Sequence, residues 1–179
     1  MLCAFGFERY GVVISDLYFV DPDPLHGQES PERGVRLELR LLEPGDLKGS
    51  IYSARPIQVG QPVWRADLLE SADGPHGTLD RAHHHPAFSE WEPGRRVFDP
   101  DLTADPVGWV GRQLGDLETL AGRAGLPADE VLAADAKSLR DSLPEIVAAV
   151  RRLLDRVNAG ELAVAPGGEP LTSARVSWL

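Results

Sequence analysis

Val35-Arg36-Leu37-Glu38-Leu39-Arg40-Leu41 alternates apolar and charged residues without a break. Successive side chains of a strand point to opposite faces, so Val35, Leu37, Leu39 and Leu41 share one side and Arg36, Glu38 and Arg40 the other. This is the pattern of an antiparallel sheet with one apolar and one polar face. On its N-terminal side, Gly11 to Val20 is rich in β-branched and aromatic residues and ends at the breaker Asp21-Pro22-Asp23-Pro24. On its C-terminal side, Ser50 to Val59 predicts a third strand, interrupted by Pro56, and Gln61 to Glu70 a fourth. In the fourth, Trp64, Ala66 and Leu68 oppose Arg65 and Asp67. Short connections between these segments favour a meander.

From Ser71 to Pro106 the chain is dense in Gly, Pro, His and Asp, far longer than the usual connection of about 4–6 residues. Phe88, Trp91, Val97 and Phe98 supply apolar anchors, so this stretch is expected to be ordered against the sheet, with Val97-Phe98 in a short strand. Asp105 as N-cap and Pro106 at the first helical position then open a helix. Its apolar stripe is Val107, Val110, Leu114, Leu117 and Leu120, and Gly122 or Gly125 ends it. A shorter helical piece covers Ala128 to Ala134. Ser142-Leu143-Pro144-Glu145 reads as a capping box opening a second long helix, with Ile146, Val150, Leu153 and Val157 buried. The tail predicts a strand at Glu161 to Ala165 and another through Ala174, Val176 and Trp178, the terminal Trp178 docking on the sheet.

Strands first and helices afterwards give an α+β fold. The expected architecture is an antiparallel β-meander of four to six strands followed by a C-terminal pair of helices packed on one sheet face. Residues 1–179 are expected to form a single domain: strand-rich over 8–70, an ordered loop over 71–105, helical over 106–159, and a tail over 161–179.

A formal net charge of −10 argues against bulk nucleic-acid binding, which depends on Lys and Arg displacing counterions from phosphates. No stretch approaches the roughly 20 apolar residues of a membrane helix. Met1 to Phe7 lacks the basic leader and apolar run of a signal peptide, and Cys3 is the single cysteine. The expected compartment is therefore the cytoplasm.

Chemistry concentrates in Asp80-Arg81-Ala82-His83-His84-His85-Pro86. Pro86 biases His85 towards extended geometry, and in an extended segment His83 and His85 point one way and His84 the other. That pair makes a two-nitrogen clamp. A third ligand from Asp80, Glu90, Asp99, Asp67 or Glu70 gives a mixed His/carboxylate site suited to Zn, Mn or Fe. The block of candidates is His83, His85, Arg65 and Asp67 as catalytic groups, Arg81 and Tyr52 as substrate contacts, and His83, His85 and Asp80 as metal ligands. Arg65 and Asp67 share a face with Arg36, Glu38 and Arg40, and an Arg beside histidines suits an anionic substrate such as a phosphate ester.

The function so implied is a hydrolase, phosphoesterase-like or nuclease-like, working either with a divalent metal or by metal-free acid–base catalysis at the histidines. The alternative is a non-catalytic interaction or scaffold protein that uses the polar sheet face and the long loop to bind a protein partner or a second copy of itself. The same histidines also read as structural, one bonded to a backbone carbonyl, one packed on Trp91 or Trp64 and one solvated. Opposite charges on a sheet face likewise form cross-strand ion pairs without any further role. No G-x-S-x-G surrounds Ser53, and no dinucleotide or Walker loop is present.

Overall fold

A computed structural model describes the chain apart from residues 22, 25, 51, 55, 166, 168–173 and 177–179, with the backbone alone at 174–176. The strands are β1 (Leu2–Gly6), β2 (Tyr10–Val20), β3 (Glu32–Pro44), β4 (Ile57–Ser71), β5 (His83–His85), β6 (Phe88–Ser89), β7 (Glu92–Pro93) and β8 (Ala174–Val176). The helices are α1 (Pro100–Ala104), α2 (Pro106–Leu114), α3 (Leu117–Arg123) and α4 (Glu130–Asn158). The main sheet runs β1-β2-β3-β4-β5, every pair antiparallel. β8 continues the edge that β1 occupies, pairing with Tyr18 to Val20 where β1 pairs with Gly11 to Ser15. This is the expected meander, and helices cover one of its faces.

Register explains the two faces. Val12, Leu39 and Trp64 lie in one row and Ile14, Leu37, Ala66 and His84 in the next. The apolar members of both rows are fully buried against α2, α3 and α4. Trp64 stacks on Trp109 at 6.0 Å. Burying large apolar side chains stabilises by about 1.5–3 kcal/mol each, so these rows and the helix residues packed on them hold the sheet to the helical layer.

The opposite face is charged, its rows being Glu38, Arg65 and His85, then Ser15, Arg36, Asp67 and His83. Within it Arg40 donates to Glu38 at 2.6 Å. The charged ladder therefore pairs partly along strands and partly across them.

Several boundaries differ from the sequence reading. The strands expected at Ser50 to Val59 and Gln61 to Glu70 are one element, β4, which begins at Ile57 and passes through Gly60 and Pro62 at an irregularity in its pairing with β3. Tyr52 and Ser53 are in a turn. β1 was not expected. Among the described residues there are four helices: α1 precedes the expected start at Pro106, and Asp116 accepts from Thr119 N–H and starts α3 where the apolar stripe alone reads as one continuous helix. Asp105 caps α2 as expected, accepting from Gly108 N–H, and that bond holds its carboxyl below the usual range.

α4 runs 29 residues straight through Pro144. Proline in a helix interior costs about 3 kcal/mol, but Leu139 and Ile146 on either side of it are both fully buried, and Pro144 and Arg140, whose carbonyl loses its donor, are exposed residues. Ser142 is thus mid-helix, its hydroxyl donating to Ser138 O at 2.9 Å, and does not cap. Residues 161–163 are bends and 164–165 irregular, with no strand there. Val97 forms an isolated bridge with His84 in place of a Val97-Phe98 strand. The expected docking of Trp178 lies outside the described residues. No helix among the described residues is long and apolar enough to cross a membrane.

Candidate metal centre

The turn between β4 and β5 is tied down by acidic side chains. Glu70 accepts from Gly77 N–H and Thr78 N–H at 2.6 and 2.9 Å and from Arg33 Nε–H at 2.9 Å. Asp80 accepts from Ser71 N–H at 2.9 Å and from the Thr78 hydroxyl at 3.0 Å. These bonds fix where the chain re-enters the sheet, and so place His83 beside Asp67 and His85 beside Arg65. On its other edge β5 is closed by the reciprocal pair His84 N–H to Val97 O and Val97 N–H to His84 O, at 3.0 and 2.9 Å.

Alternation then separates the three rings. His84 points into the core, 5.0 Å from the Trp109 ring, where burial pushes its pKa down and favours the neutral ring. His83 and His85 point to the charged face, both buried, flanked by Phe98 and Phe88.

Asp67 is the centre of that face and is fully buried. Its Oδ1 accepts from Arg36 Nε–H at 2.6 Å, and its Oδ2 lies 2.9 Å from Arg65 Nε. Burial pushes this carboxyl up, but the adjacent charges of Arg36 and Arg65 outweigh it and hold the group well below the ordinary carboxylate range. Asp67 is therefore an anion at any physiological pH.

The imidazoles are oriented from behind. His83 Nδ1 is 2.8 Å from Arg81 O, and His85 Nδ1 is 2.7 Å from Gly94 O. A carbonyl can only accept, so both Nδ1 atoms carry the proton, an assignment fixed by their partners. The Nε2 atoms of both rings then converge on Asp67 Oδ2, at 3.4 Å from His83 and 3.5 Å from His85. Gly94 is needed here, since a Cβ would stand 2.7 Å from Ala87 O. The ligand atoms of Asp67, His83 and His85 all lie within 4.8 Å of one another.

The group opens onto a cleft of about 540 Å³. Arg36, Arg65, Arg96, Glu32 and the β6–β7 hairpin line it. Arg96 bonds to Asp21 at 3.0 Å. Burial pushes the Glu32 carboxyl up.

Of the candidate residues, the structure brings His83, His85, Arg65 and Asp67 together. Asp80 belongs to the turn, and the carboxylate beside the imidazoles is that of Asp67. Arg81 reaches away, its guanidinium donating to Gly27 O at 3.0 Å, while its carbonyl orients His83. Tyr52 is 91% exposed and outside the cleft. Glu32, Arg96 and the Gly94 carbonyl were not among the candidates. Glu32 continues the polar parity of Arg36 and Glu38, so extending the alternation N-terminally would have reached it; the other two leave no mark in the sequence.

Compared with protein-family models, curated proteins and solved structures, this chain finds no significant match.

Proposed function

We propose that Asp67, His83 and His85 hold a divalent metal ion, Zn, Mn or Fe, and that the site hydrolyses an anionic ester, with a phosphoester as the best fit. The observation that carries this reading is the convergence of two imidazole Nε2 atoms and a carboxylate oxygen, with both Nδ1–H groups committed to backbone carbonyls. Metal-ligating histidines characteristically donate their second nitrogen in this way, which fixes tautomer and ring direction.

Two distances favour this reading over one in which both rings are imidazolium donors to Asp67. Imidazolium rings donating to Asp67 would form charge-assisted bonds of about 2.7–2.9 Å, against the 3.4 and 3.5 Å observed. In a tetrahedral site with bonds of about 2.0–2.1 Å, neighbouring ligand atoms stand roughly 3.3–3.4 Å apart. In addition, Arg65 Nη2 lies 2.8 Å from His85 Nε2. A guanidinium only donates, so that nitrogen is an acceptor and the ring is neutral.

Two histidines and one carboxylate leave coordination positions facing the cleft, where a bound water becomes a nucleophile near neutral pH. Arg36 holds Asp67 by its other oxygen and so presents Oδ2 singly. The Arg96 guanidinium on the cleft wall suits an oxyanion.

Metal analysis of untagged protein is the test, alongside a His83→Ala/His85→Ala double variant. The expected result is close to one divalent ion per chain, lost in the variant while its circular dichroism stays native. If neither protein retains Zn, Mn or Fe after incubation with each, the reading is wrong.

A further inference from the structure

Arg65 approaches the site from within the sheet. Its Nε lies 2.9 Å from Asp67 Oδ2 and its Nη2 2.8 Å from His85 Nε2. One guanidinium thus touches two of the three atoms that would bind a cation. An N–H and a metal ion need the same lone pair of His85 Nε2, so the two exclude each other there.

The charge of the cleft points the same way. Its lining carries the carboxyl groups of Asp21, Glu32, Asp67 and Glu92 against the guanidinium groups of Arg36, Arg65 and Arg96. Carboxyl groups outnumber guanidinium groups four to three, and even with burial pushing Glu32 up the cleft has no net positive charge to draw an anion in. A divalent cation reverses that balance, and in displacing Arg65 it releases guanidinium donors into the same cleft.

We infer that Arg65 is a built-in competitor of the metal, and that once displaced it joins Arg96 in clamping a phosphoryl oxyanion. The inference rests on the metal reading above and names the ligand class of that site. Metal and oxyanion then bind with positive coupling. Because coupling between two ligands is reciprocal, each tightens the other by the same factor.

The test is titration with Mn²⁺, followed by electron paramagnetic resonance of the free ion, with and without inorganic phosphate. It uses wild type, Arg65→Gln, Arg65→Lys and His83→Ala/His85→Ala. A guanidinium that holds its ligands nine-tenths of the time weakens apparent metal affinity about tenfold. Arg65→Gln is therefore expected to bind Mn²⁺ about tenfold more tightly than wild type. Phosphate is expected to tighten Mn²⁺ binding to wild type, and to do so severalfold less in Arg65→Gln. A phosphate that merely coordinates the metal would act equally on both proteins.

Equal Mn²⁺ affinity in wild type and Arg65→Gln overturns the competitor role while leaving the metal site standing. Absence of binding in wild type and both Arg65 variants, as in the histidine double variant, overturns the metal reading itself. If Arg65→Gln does not fold, Arg65→Lys decides the competitor role, because one ammonium cannot reproduce the two-point guanidinium contact. Wild type without any phosphate effect contradicts the coupling.

Discussion

Asp67→Ala is expected to destabilise the protein by about 3 kcal/mol, the lower end of the range for removing one partner of a buried ion pair. The carboxylate is fully buried, and its removal takes away the anion that Arg36 and Arg65 share. The cost stays at that lower end because both arginines line the cleft and recover some hydration there. For a chain of this size it corresponds to a fall of roughly 6–12 °C in Tm. Asp67→Asn keeps the shape and one acceptor, so it should lose less stability. Both variants should lose metal. Thermal unfolding with matched metal titrations checks this, and an Asp67→Ala protein as stable as wild type would show that the charged face is not organised around this carboxylate.

A loss of similar size is expected on the other side of the molecule from Asp135→Ala. Asp135 is buried on α4, and its carboxylate accepts the backbone N–H groups of Glu8, Arg9 and Tyr10 at 2.9, 2.8 and 3.0 Å. One side chain thus satisfies three donors at the β1–β2 turn and fastens the first hairpin to the long helix. Hydrogen bonds to charged groups contribute about 1.5–3 kcal/mol each, and a shared acceptor makes them less than additive, so about 3 kcal/mol is expected. Amide exchange at Glu8, Arg9 and Tyr10 should accelerate, while metal affinity should stay at the wild-type value. Unchanged protection at these three amides would contradict the role given to Asp135.

The contrast between these two aspartates shows where the sequence is legible. The polar face around Asp67 follows from alternation in β3 and β4, and period two places His83 and His85 together with His84 opposite. What alternation does not contain is the partner of β5. His83 lies opposite Asp67 because Glu70 and Asp80 hold a turn by side-chain bonds to backbone N–H groups, and such capping carries no periodic signal. The choice between Asp80 and Asp67 as the carboxylate beside the histidines therefore needed the register. Asp135 was invisible for a similar reason: nothing in a helical stripe tells which acidic residue faces three unpaired amides more than a hundred residues away.

Elsewhere local rules were outweighed by packing. Ser142-Leu143-Pro144-Glu145 has the composition of a helix start, but burial on both sides of Pro144 carries α4 through it. Ser50 to Val59 and Gln61 to Glu70 read as two strands, but the β3 partner, extending to Pro44, joins Ile57 to Val59 with the second of them across Gly60 and Pro62 in one β4. In both cases a long neighbour supplies more stabilisation than the breaker removes.

The proposed metal centre is tested most directly by crystals grown with Zn²⁺ and diffraction recorded on both sides of the zinc absorption edge. The expected result is one strong anomalous peak about 2.0–2.2 Å from Asp67 Oδ2, His83 Nε2 and His85 Nε2, with Arg65 turned away from His85 into the cleft. Anomalous density confined to surface carboxylates, with Arg65 still bonded to His85 Nε2, would contradict it.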